Sequence, residues 1–488
     1  MSLALETEML SRQKTMIQAT ALGGSHIQQF YKNAIVFITG GSGFLGKQLM
    51  EKLFRACDIK RIYLLLRPKK GKKVQERLRD ILGDPLKPTF AEKIICLEGD
   101  VAQINLGLND EDWNTVADVI FHVAATTRFD ESLRVATLVN VRGTREALKL
   151  GKACKKSFVH VSTAYSHATA EKIGKTVSEQ FYPTPVPPET MIRLVERVEA
   201  GRLEGIAHRL TEGWPNTYTF AKAVAEEQVR LMAGDLPVSI VRPSIVISSY
   251  YEPSPGWLDM SCAYSASGFV IGSGLGLIHV MQTTPSTEIS LVPVDYVNNA
   301  IISAGWENTI HHPNTNYLTI REELAMPSAV WVAYVFCVRQ YYWFLLLTVL
   351  LHFVPACLAD LLLMVLRKES RFLKIYKKIF KLSVSLSYFL NHTYHLDGKN
   401  TENLFKKMSP TDKKIFFFDM KTINWFEYCK IWCIGVRKYI IKDGLKNTDL
   451  GQRKQFWFRY LNYVVLALYI WFSWLCLSTC FSLICKIK

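Results

Sequence analysis

Apolar residues in the first half of this chain occur in short runs that alternate with longer amphipathic stretches. From Ala34 onward the runs are rich in β-branched residues, and the stretches between them place apolar residues at helical spacing. This alternation is typical of a parallel sheet covered by helices. It predicts an α/β fold with a Rossmann-type, doubly wound parallel sheet. The six runs that fit strands are AIVFITG, IYLLLR, IICLEGD, DVIFHVAA, SFVHVSTAY and VSIVRPSIVI.

A charged insert interrupts this rhythm between Ser166 and Asn216. It begins with the proline-containing YPTPVPPET and continues with IRLVERVEAGRLEGIAHRL. This composition predicts a turn followed by a helix that lies outside the sheet. We interpret the insert as a cap on the substrate side of the sheet.

A long apolar stretch follows the end of this rhythm, from Tyr341 to Leu366. Its length suits a membrane span of about 20 residues. Pro355 and Asp360 interrupt it, however. A span, a re-entrant or membrane-associated helix, and a buried hydrophobic helix therefore all remain open.

A second apolar stretch, from Leu461 to Cys485, contains no charged residue. Arg453, Lys454 and Arg459 precede it, and aromatic residues lie near its start, as is typical of a membrane interface. We interpret it as a C-terminal transmembrane anchor rather than a buried core helix. Because the chain ends in CKIK and not in a peroxisomal SKL signal, we expect the endoplasmic reticulum, with the peroxisome as the alternative.

Length and charge change this picture mainly in the C-terminal third. The chain has 488 residues, 49% of them hydrophobic, which is enough for one large core or two moderate ones. The net charge is +16, and most of it lies between Arg367 and Arg459, where 21 Lys and Arg accompany 8 Asp and Glu. Such an excess indicates an anionic membrane surface, a polyanionic substrate, nucleic acid or a solvated basic face. The neighbouring apolar stretches favour the first two, so we expect no nucleic acid partner.

The cysteines and the N-terminus indicate a protein that faces a reducing compartment. Eleven cysteines are scattered without a CxxC pair, so neither a disulfide framework nor a metal site is indicated. Residues 1–29 are polar and lack the apolar core of a signal peptide. The main folded part should therefore face the cytosol.

The first predicted strand ends in a glycine-rich turn, IVFITGGSGFLG, that leads directly into an amphipathic helix. Gly40 permits the tight turn, Gly43 lets the backbone approach a pyrophosphate, and Gly46 allows close packing of helix on strand. The N–H groups at the helix start, around Phe44 and Leu45, then face the anion. The strand before the glycines and the helix after them predict a dinucleotide-binding site.

The second predicted strand ends in basic residues, where a protein specific for NAD would carry an acidic one. Arg67 can fork onto or stack against the 2′-phosphate of NADPH, and Lys69 adds a less directional charge. This strand end therefore favours NADPH as the cofactor, with a solvated basic loop as the alternative.

Residues near the ends of the third and fourth strands complete the expected cofactor site. Asp100 and Val101 follow the third strand, at the edge where the adenine would lie. Ala124 follows the fourth strand, and its small side chain leaves room for the cofactor. His122 stands where a small or amide residue would be expected. Asn140, in NVRGT, would orient a water molecule or cap backbone groups.

Tyr218 and Lys222 lie four residues apart in NTYTFAKA, so a helix presents both on one face. A phenol has an ordinary pKa near about 10, and a nearby ammonium group would favour its anion, making a better-matched acid at neutral pH. Lys222 would also hold the nicotinamide ribose. Thr163, rather than Ser162, would donate a second hydrogen bond to a substrate carbonyl oxygen at the end of the fifth strand. We predict Tyr218, Lys222 and Thr163 as the catalytic residues.

Longer sequence words carry a family resemblance from about Ile27 to Lys442. They are TGGSGFLGK, YLLLRPKKG, VAATTRFDE, NVRGT, HVSTAYS, PNTYTFAKA, VRPSIV, EPSPGW and VPVDYV, followed by HFVPACLAD, FFFDMKTINWFEY and GVRKYIIKD. The arrangement resembles the extended short-chain dehydrogenases and, among them, the alcohol-forming fatty acyl-CoA reductases. Ala221 departs from the resemblance, because family members often carry Thr before the lysine. We expect altered helix packing there rather than lost activity.

The resemblance implies reduction of a long-chain fatty acyl-CoA to a primary alcohol. Two NADPH would be used, coenzyme A would be released, and an aldehyde would remain bound between the two reductions. A lipid bilayer would be a partner, since a long acyl chain prefers lipid to water. No particular oligomeric state is predicted.

Two other interpretations stay open beside this one. A membrane-bound sterol or sugar-nucleotide dehydrogenase or epimerase would share the glycine turn and the Tyr218–Lys222 spacing, but it leaves the C-terminal third unexplained. A non-catalytic NADPH-binding membrane scaffold would not need Tyr218, Lys222 and Thr163 together.

The expected organisation has five parts. They are a polar leader at 1–30, an NADPH-binding Rossmann-type reductase domain at 31–325, a hydrophobic segment at 326–366, a basic helical domain at 367–460 and a transmembrane anchor at 461–485.

Overall fold

The computed structural model describes residues 3–487, except 70, 84, 115–116, 155, 262–265, 285, 308–309, 312–327 and 370. The chain forms two compact units, and each is assembled from three separate stretches. The first unit comprises Met1–Cys262, Ser286–Thr319 and Tyr388–Gly435, and the second comprises Ala263–Pro285, Ile320–Ser387 and Val436–Lys488.

Seven parallel strands form the central sheet of the first unit. They are β1 Ile35–Thr39, β2 Arg61–Leu66, β3 Ile94–Glu98, β4 Val119–His122, β5 Ser157–Val161, β6 Val238–Val241 and β7 Ile310–His311. The strand order is β7-β6-β5-β4-β1-β2-β3. The chain adds β2 and β3 on one side of β1 and then crosses to add β4 on the other side, so the strand order switches between β1 and β4. Open α/β sheets bind ligands at such a switch point, beyond the carboxyl ends of the strands.

The six predicted strands and the Rossmann-type sheet are confirmed, with one division and one addition. The run VSIVRPSIVI divides at Pro243, because proline has no N–H for a central strand. Its first part forms β6, and Ile245–Ile247 pairs instead with Leu291–Pro293 in a separate two-stranded sheet. The additional strand, β7, has only two residues and follows no apolar run that would predict it.

Helices cover the sheet, which explains why its strands are continuous apolar runs rather than alternating ones. All five residues of β5 are buried. Phe37, Ile120, Phe158 and Ile240, from four different strands, form one buried cluster with Leu148 of a covering helix. This core fixes the strand ends that carry the candidate site.

The helices of the first unit include those predicted beside the strands and in the charged insert. The single helix predicted for the insert forms as two, Pro188–Arg197 and Ala200–Leu210, which pack on Phe220. The unit's other helices and helical turns are Leu3–Leu22, His26–Tyr31, Phe44–Ala56, Val74–Ile81, Pro88–Lys93, Ile104–Gly107, Asp110–Trp113, Leu133–Ala136, Thr137–Arg142, Gly143–Gly151, Ala170–Lys172, Thr217–Met232, Val294–Glu307, Lys399–Lys407, Pro410–Ile415, Met420–Thr422 and Trp425–Gly435.

Residues of the N-terminal stretch pack on the first unit. Met9 and Met16 of the Leu3–Leu22 helix are buried. The Arg12 guanidinium lies 4.5 Å from the ring centre of Tyr251 and 3.8 Å from that of Phe417. A small parallel pair, Thr176–Val177 with His395–Leu396, completes the unit.

The second unit is mainly helical. Its strand Val280–Gln282 pairs in parallel with Phe336–Val338. Among the residues that the structure describes, one helical stretch, Tyr341–Val365, has the length and composition to cross a membrane. The apolar run Leu461–Cys485 lies within a single 40-residue helix. The helices are Ala266–Gly274, Tyr341–Thr348, Val349–Phe353, Val354–Val365, Phe372–Asn391, which continues past Ser387, Val436–Ile441 and Thr448–Ile487.

Candidate active site

The glycine turn joins β1 to the helix Phe44–Ala56. Gly40 has a φ of +77°, and a Cβ there would lie 2.6 Å from the backbone nitrogen of Ala124, so only glycine fits. A Cβ at Gly46 would lie 2.5 Å from the carbonyl oxygen of Gly40. Gly43 begins the helix without a side-chain cap. The first N–H groups of the helix are therefore available for a phosphate.

The predicted cofactor and catalytic residues meet along one edge of the sheet. Strand β4 lies between β1 and β5, so their carboxyl ends form a row. Gly40 follows β1, Ala124 follows β4 and Thr163 follows β5. The Thr39 hydroxyl accepts a hydrogen bond from the Ala124 N–H at 3.2 Å, which ties the first two ends together.

The basic end of β2 faces an acidic partner and a second arginine. Arg67 donates to the Asp100 carboxylate at 2.9 Å, and its side chain is half-exposed. Arg77, which sequence reasoning missed, donates to the Arg67 carbonyl oxygen and, at 3.2 Å, to the Ser42 hydroxyl in the glycine turn. Burial and the Arg67 charge lower the pKa of Arg77. An anion beside these two guanidinium groups would relieve their repulsion.

The position of Arg77 on the helix that follows β2 was the signal that could have predicted it as a residue of the cofactor site. In the sequence it belongs to a strongly charged segment, KKVQERLRD, which looks like an ordinary solvated helix face. Lys69, by contrast, lies in an exposed turn in which its N–H and carbonyl pair with those of Lys72. The structure thus brings Arg77 closer to the glycine turn than the sequence indicated.

Phe44, Leu45 and Val101 lie where the cofactor was expected. The Phe44 ring stacks on Trp257 with ring centres 5.2 Å apart. The Leu45 carbonyl oxygen accepts from the Asn298 side chain at 3.0 Å. Both contacts hold the helix start in place. A Cβ at Gly143 would lie 2.9 Å from the Val101 carbonyl oxygen, so the chain after β3 packs tightly against the helix Gly143–Gly151.

Tyr218 and Thr163 lie together at the carboxyl end of β5. Asn216 caps the helix Thr217–Met232 by accepting from the Thr219 N–H at 2.9 Å, which sets the helix start beside the strand end. The Thr163 side chain lies near enough to the Tyr218 phenol to influence its pKa. Burial raises the pKa of Tyr218 to about 12, while the Thr163 hydroxyl lowers it in part.

This pKa differs from the sequence-based expectation of a lowered value. Lys222 is buried and donates to the Val161 carbonyl oxygen at 2.7 Å. Burial lowers the pKa of Lys222 to about 8, and the Glu226 charge raises it in part. Below pH 8 the lysine is therefore an ammonium and Tyr218 a neutral phenol, which is the form that can donate a proton.

Glu226 forms a buried hub that sequence reasoning missed. Its carboxylate accepts from Ser162 at 2.5 Å, from Ser166 at 3.0 Å and from the Arg242 guanidinium at 2.6 and 2.8 Å. Ser162 is thereby committed to Glu226, which leaves Thr163 beside Tyr218. The spacing of Lys222 and Glu226, one helical turn apart, was the signal that could have revealed the hub.

Two polar residues that the sequence singled out, His122 and Asn140, have structural partners. His122 bridges the hydroxyls of Thr39 at 2.9 Å and Thr144 at 3.1 Å, and burial lowers its pKa to about 3. The ring is therefore a neutral bridge beneath the site. Asn140 accepts from the Thr126 N–H at 2.9 Å and donates to the Thr126 carbonyl at 3.1 Å, so it caps backbone groups.

Aromatic side chains form a wall beside Tyr218. The Phe129 ring stacks on Tyr218 with ring centres 6.0 Å apart. Phe389 lies 5.3 Å from Phe129 and 4.9 Å from Tyr165 by ring centres. This wall excludes water from one side of the phenol and can pack an apolar substrate.

The sheet, the glycine turn and the Tyr218–Lys222 helix define an oxidoreductase that uses a nicotinamide dinucleotide. Two family models, both described as male sterility protein, match residues 38–301, which hold the NAD-binding fold, and residues 351–443. The chain belongs to the fatty acyl-CoA reductase family.

Relatives of known name support this assignment over nearly the whole chain. Fatty acyl-CoA reductase wat of Drosophila melanogaster is 33% identical over 478 residues, and the alignment covers 91% of each chain. Fatty acyl-CoA reductase 2 of Mus musculus is 34% identical, covering 92% of this chain and 93% of the mouse protein. Fatty acyl-CoA reductase 1 of Xenopus laevis is 32% identical, with coverage of 91% and 92%.

Solved structures share the fold. The terminal R domain from the myxalamid biosynthetic pathway has a TM-score of 0.56 at 19% identity and covers 83% of this chain and 91% of its own. The reductase domain of the aureusimine biosynthetic cluster has a TM-score of 0.51 at 16% identity, covering 87% and 97%. The relatives confirm the family resemblance read from the sequence, and these structures confirm the fold.

Proposed function

We propose that the chain reduces a long-chain fatty acyl-CoA to the primary alcohol, using two NADPH and releasing coenzyme A. The observation that carries this proposal is the meeting of Thr163 and Tyr218 at the carboxyl end of β5, with the buried Lys222 one helical turn further on. When bound, the cofactor supplies hydride to the substrate carbonyl carbon.

The residues of the chain have separate parts in this reaction. Thr163 and Tyr218 donate hydrogen bonds to the carbonyl oxygen while negative charge develops on it. Collapse of the resulting tetrahedral intermediate breaks the carbon–sulfur bond, and coenzyme A leaves as the thiolate, which takes up a proton from water. The aldehyde stays against the aromatic wall, and Tyr218 gives its proton to the alkoxide in the second reduction. The ammonium of Lys222 holds the nicotinamide ribose and offsets the charge left on the phenol.

Product analysis tests this reaction. The solubilised protein is incubated with NADPH and palmitoyl-CoA or stearoyl-CoA, and gas chromatography measures fatty alcohol. Because a positioned proton donor contributes about 10²–10⁴-fold, we expect Tyr218→Phe to lose alcohol formation by roughly that factor. NADPH binding should persist in the variant. Absence of alcohol across a series of chain lengths, in wild-type protein that still binds NADPH, contradicts the proposal.

NADPH rather than NADH is proposed as the reductant because Arg67 and Arg77 lie together near Ser42 of the glycine turn. A charged hydrogen bond contributes about 1.5–3 kcal/mol, so Arg77→Gln should lower the ratio of kcat/KM for NADPH over NADH about 10- to 100-fold. Arg79→Gln, in the same helix and exposed, is the matched control. An equal loss with both cofactors would instead assign Arg77 a purely structural part.

The attachment to a membrane is proposed for the C-terminal run Leu461–Cys485, with the catalytic part facing the cytosol and the endoplasmic reticulum as the organelle. Trp471 and Trp474 of this helix are exposed, as is typical of a surface that contacts lipid. We also propose the five-part organisation predicted from the sequence. It includes the reductase domain at 31–325 and the basic domain at 367–460.

A further inference from the structure

Two helices of the second unit form an antiparallel hairpin, defined here as residues 341–387. The Phe344 ring stacks on Phe380 with ring centres 6.0 Å apart, and the His352 ring stacks on Tyr376 at 5.1 Å. Later residues of the first helix therefore contact earlier residues of the second. The apolar stretch Tyr341–Val365 thus has a fixed companion along its length.

The charged residue inside the apolar stretch has a structural task in this hairpin. The Asp360 carboxylate accepts from the N–H groups of Arg371, Phe372 and Leu373, each at 2.9 Å. It therefore caps the start of the companion helix. His352, near the middle of the apolar stretch, accepts from the backbone N–H of His279 at 2.8 Å. Both polar residues are buried against the protein.

The opposite face of the apolar stretch is exposed. Its exposed fractions reach 84% at Tyr342 and 72% at Val365. A continuous apolar surface of this kind on a folded unit marks a contact site for a membrane or a partner. Exposed members along the whole stretch are Tyr342, Leu346, Val349, Leu358, Leu362 and Val365.

The course of the chain argues against a membrane crossing by this stretch. The chain leaves the first unit after Thr319 and returns to it at Tyr388. A compact unit lies on one side of a membrane, so the excursion must cross it an even number of times. The residues 320–327, IREELAMP, carry three charges. Among the described residues of the excursion, the other long helix that could serve for a second crossing is the one that starts at Phe372.

That companion helix carries four lysines within eight residues and cannot be a favourable second span. Lys374, Lys377, Lys378 and Lys381 are all exposed. Their charge complements anionic lipid headgroups, and a basic amphipathic helix beside an apolar face is typical of a segment that lies in the membrane interface. Because the companion helix does not cross the membrane, the even number of crossings must be zero, and the apolar stretch does not cross it either.

We propose that the hairpin lies in the plane of the membrane, with the exposed face of Tyr341–Val365 in the outer hydrocarbon of one leaflet and the four lysines on anionic headgroups. The proposal depends neither on the anchor proposed for the C-terminal run nor on the proposed reaction. The hairpin gives the enzyme a second contact with the bilayer in which its substrate and product dissolve.

Depth measurement in the full-length protein tests the proposal. An environment-sensitive fluorophore is attached to a cysteine replacing Tyr342, Leu358 or Val365, in a background whose other reactive cysteines are serine. The protein is placed in nanodiscs of phosphatidylcholine, alone or with phosphatidylserine, that contain lipids with a nitroxide high or low on the acyl chain. NADPH binding checks that each variant is folded, and Leu231→Cys, exposed in the first unit, is the control site.

The expected result is a uniform depth, with all three positions quenched most by the shallow nitroxide and the control site by neither. A profile in which Leu358 is deep and both ends are shallow means a span and overturns the proposal. So does the absence of quenching at all three positions.

The lysines are tested in the same nanodiscs. Phosphatidylserine should increase quenching in the wild type, and the increase should disappear when Lys374, Lys377, Lys378 and Lys381 are changed together to Gln. The control variant changes four exposed lysines of the first unit, Lys60, Lys87, Lys152 and Lys175. An equal effect of phosphatidylserine in both variants overturns the assignment of headgroup binding to the hairpin.

Discussion

Two lysines are fully buried in the first unit, and their surroundings differ in a way that separates structure from function. Lys52 donates to both carboxylate oxygens of Glu252, at 2.9 and 2.6 Å, and to the Ile415 carbonyl at 2.6 Å. All three of its N–H groups are thus used. Lys222, among the residues that the structure describes, donates to the Val161 carbonyl alone.

The carboxylates near the two lysines differ as well. Glu252 binds Lys52 and Arg55 directly. Glu226 lies one turn from Lys222, but its oxygens are taken by Arg242 and by hydroxyl groups. A buried ammonium with unused donors is costly to the fold, so its retention indicates a binding partner outside the protein. The comparison therefore supports the proposal that Lys52 serves stability and Lys222 serves the reaction.

The largest effect is expected from Lys222→Met. Removing the ammonium leaves Tyr218 without charge support and the cofactor ribose without a donor, so kcat/KM should fall by about 10²–10⁴-fold. Stability should stay equal or rise slightly, because a poorly paired buried charge is replaced by an apolar side chain of similar length. Steady-state kinetics and thermal unfolding measure the two effects. A variant that unfolds more easily than the wild type would break the comparison.

Lys52→Met should lower stability and leave activity unchanged, the reverse of Lys222→Met. The change leaves the buried Glu252 with fewer partners, which costs about 3 kcal/mol of unfolding free energy, since Arg55 and Asn299 still contact the carboxylate. Molecules that remain folded should keep their kcat. Chemical denaturation of the solubilised protein measures the loss, and activity per folded molecule is the control. Unchanged stability would mean that Lys52 is no better paired than Lys222.

The smallest effect is a dependence on pH. Because burial lowers the pKa of Lys222 to about 8, kcat/KM should fall about tenfold per pH unit above that value. Tyr218, with a pKa of about 12, remains protonated there and does not cause the fall. Lys222→Arg should remove this alkaline limb, because arginine stays charged.

The free energy of unfolding should rise with pH over the range in which kcat/KM falls. The unfolded lysine, with its ordinary value of 10.5, binds a proton between about pH 8 and pH 10.5 while the folded one releases it. Folding is therefore favoured as pH rises through this window. The difference between wild type and Lys222→Met isolates this contribution, because Lys52 is common to both. Parallel losses of activity and stability would contradict the assignment.

The sequence by itself determined the class of fold and the row of residues at the sheet edge. Strands such as β1 and β5 are local apolar runs, and the glycine turn and the Tyr218–Lys222 spacing are local patterns, so short-range physics fixes them. The same locality explains why Gly40 and Gly46 lie in the tight turn that the sequence predicted.

Only the tertiary structure decided how the polar groups pair. Lys52 meets Glu252 across 200 residues, and Ser162 meets Glu226 across 64. No local pattern encodes such partners, because they depend on which strand ends and helices the whole fold brings together. The raised pKa of Tyr218 has the same origin, since it results from burial within the whole fold. Asp360, which seemed to interrupt a membrane segment, became a helix cap only when Arg371 and its neighbours folded back onto it.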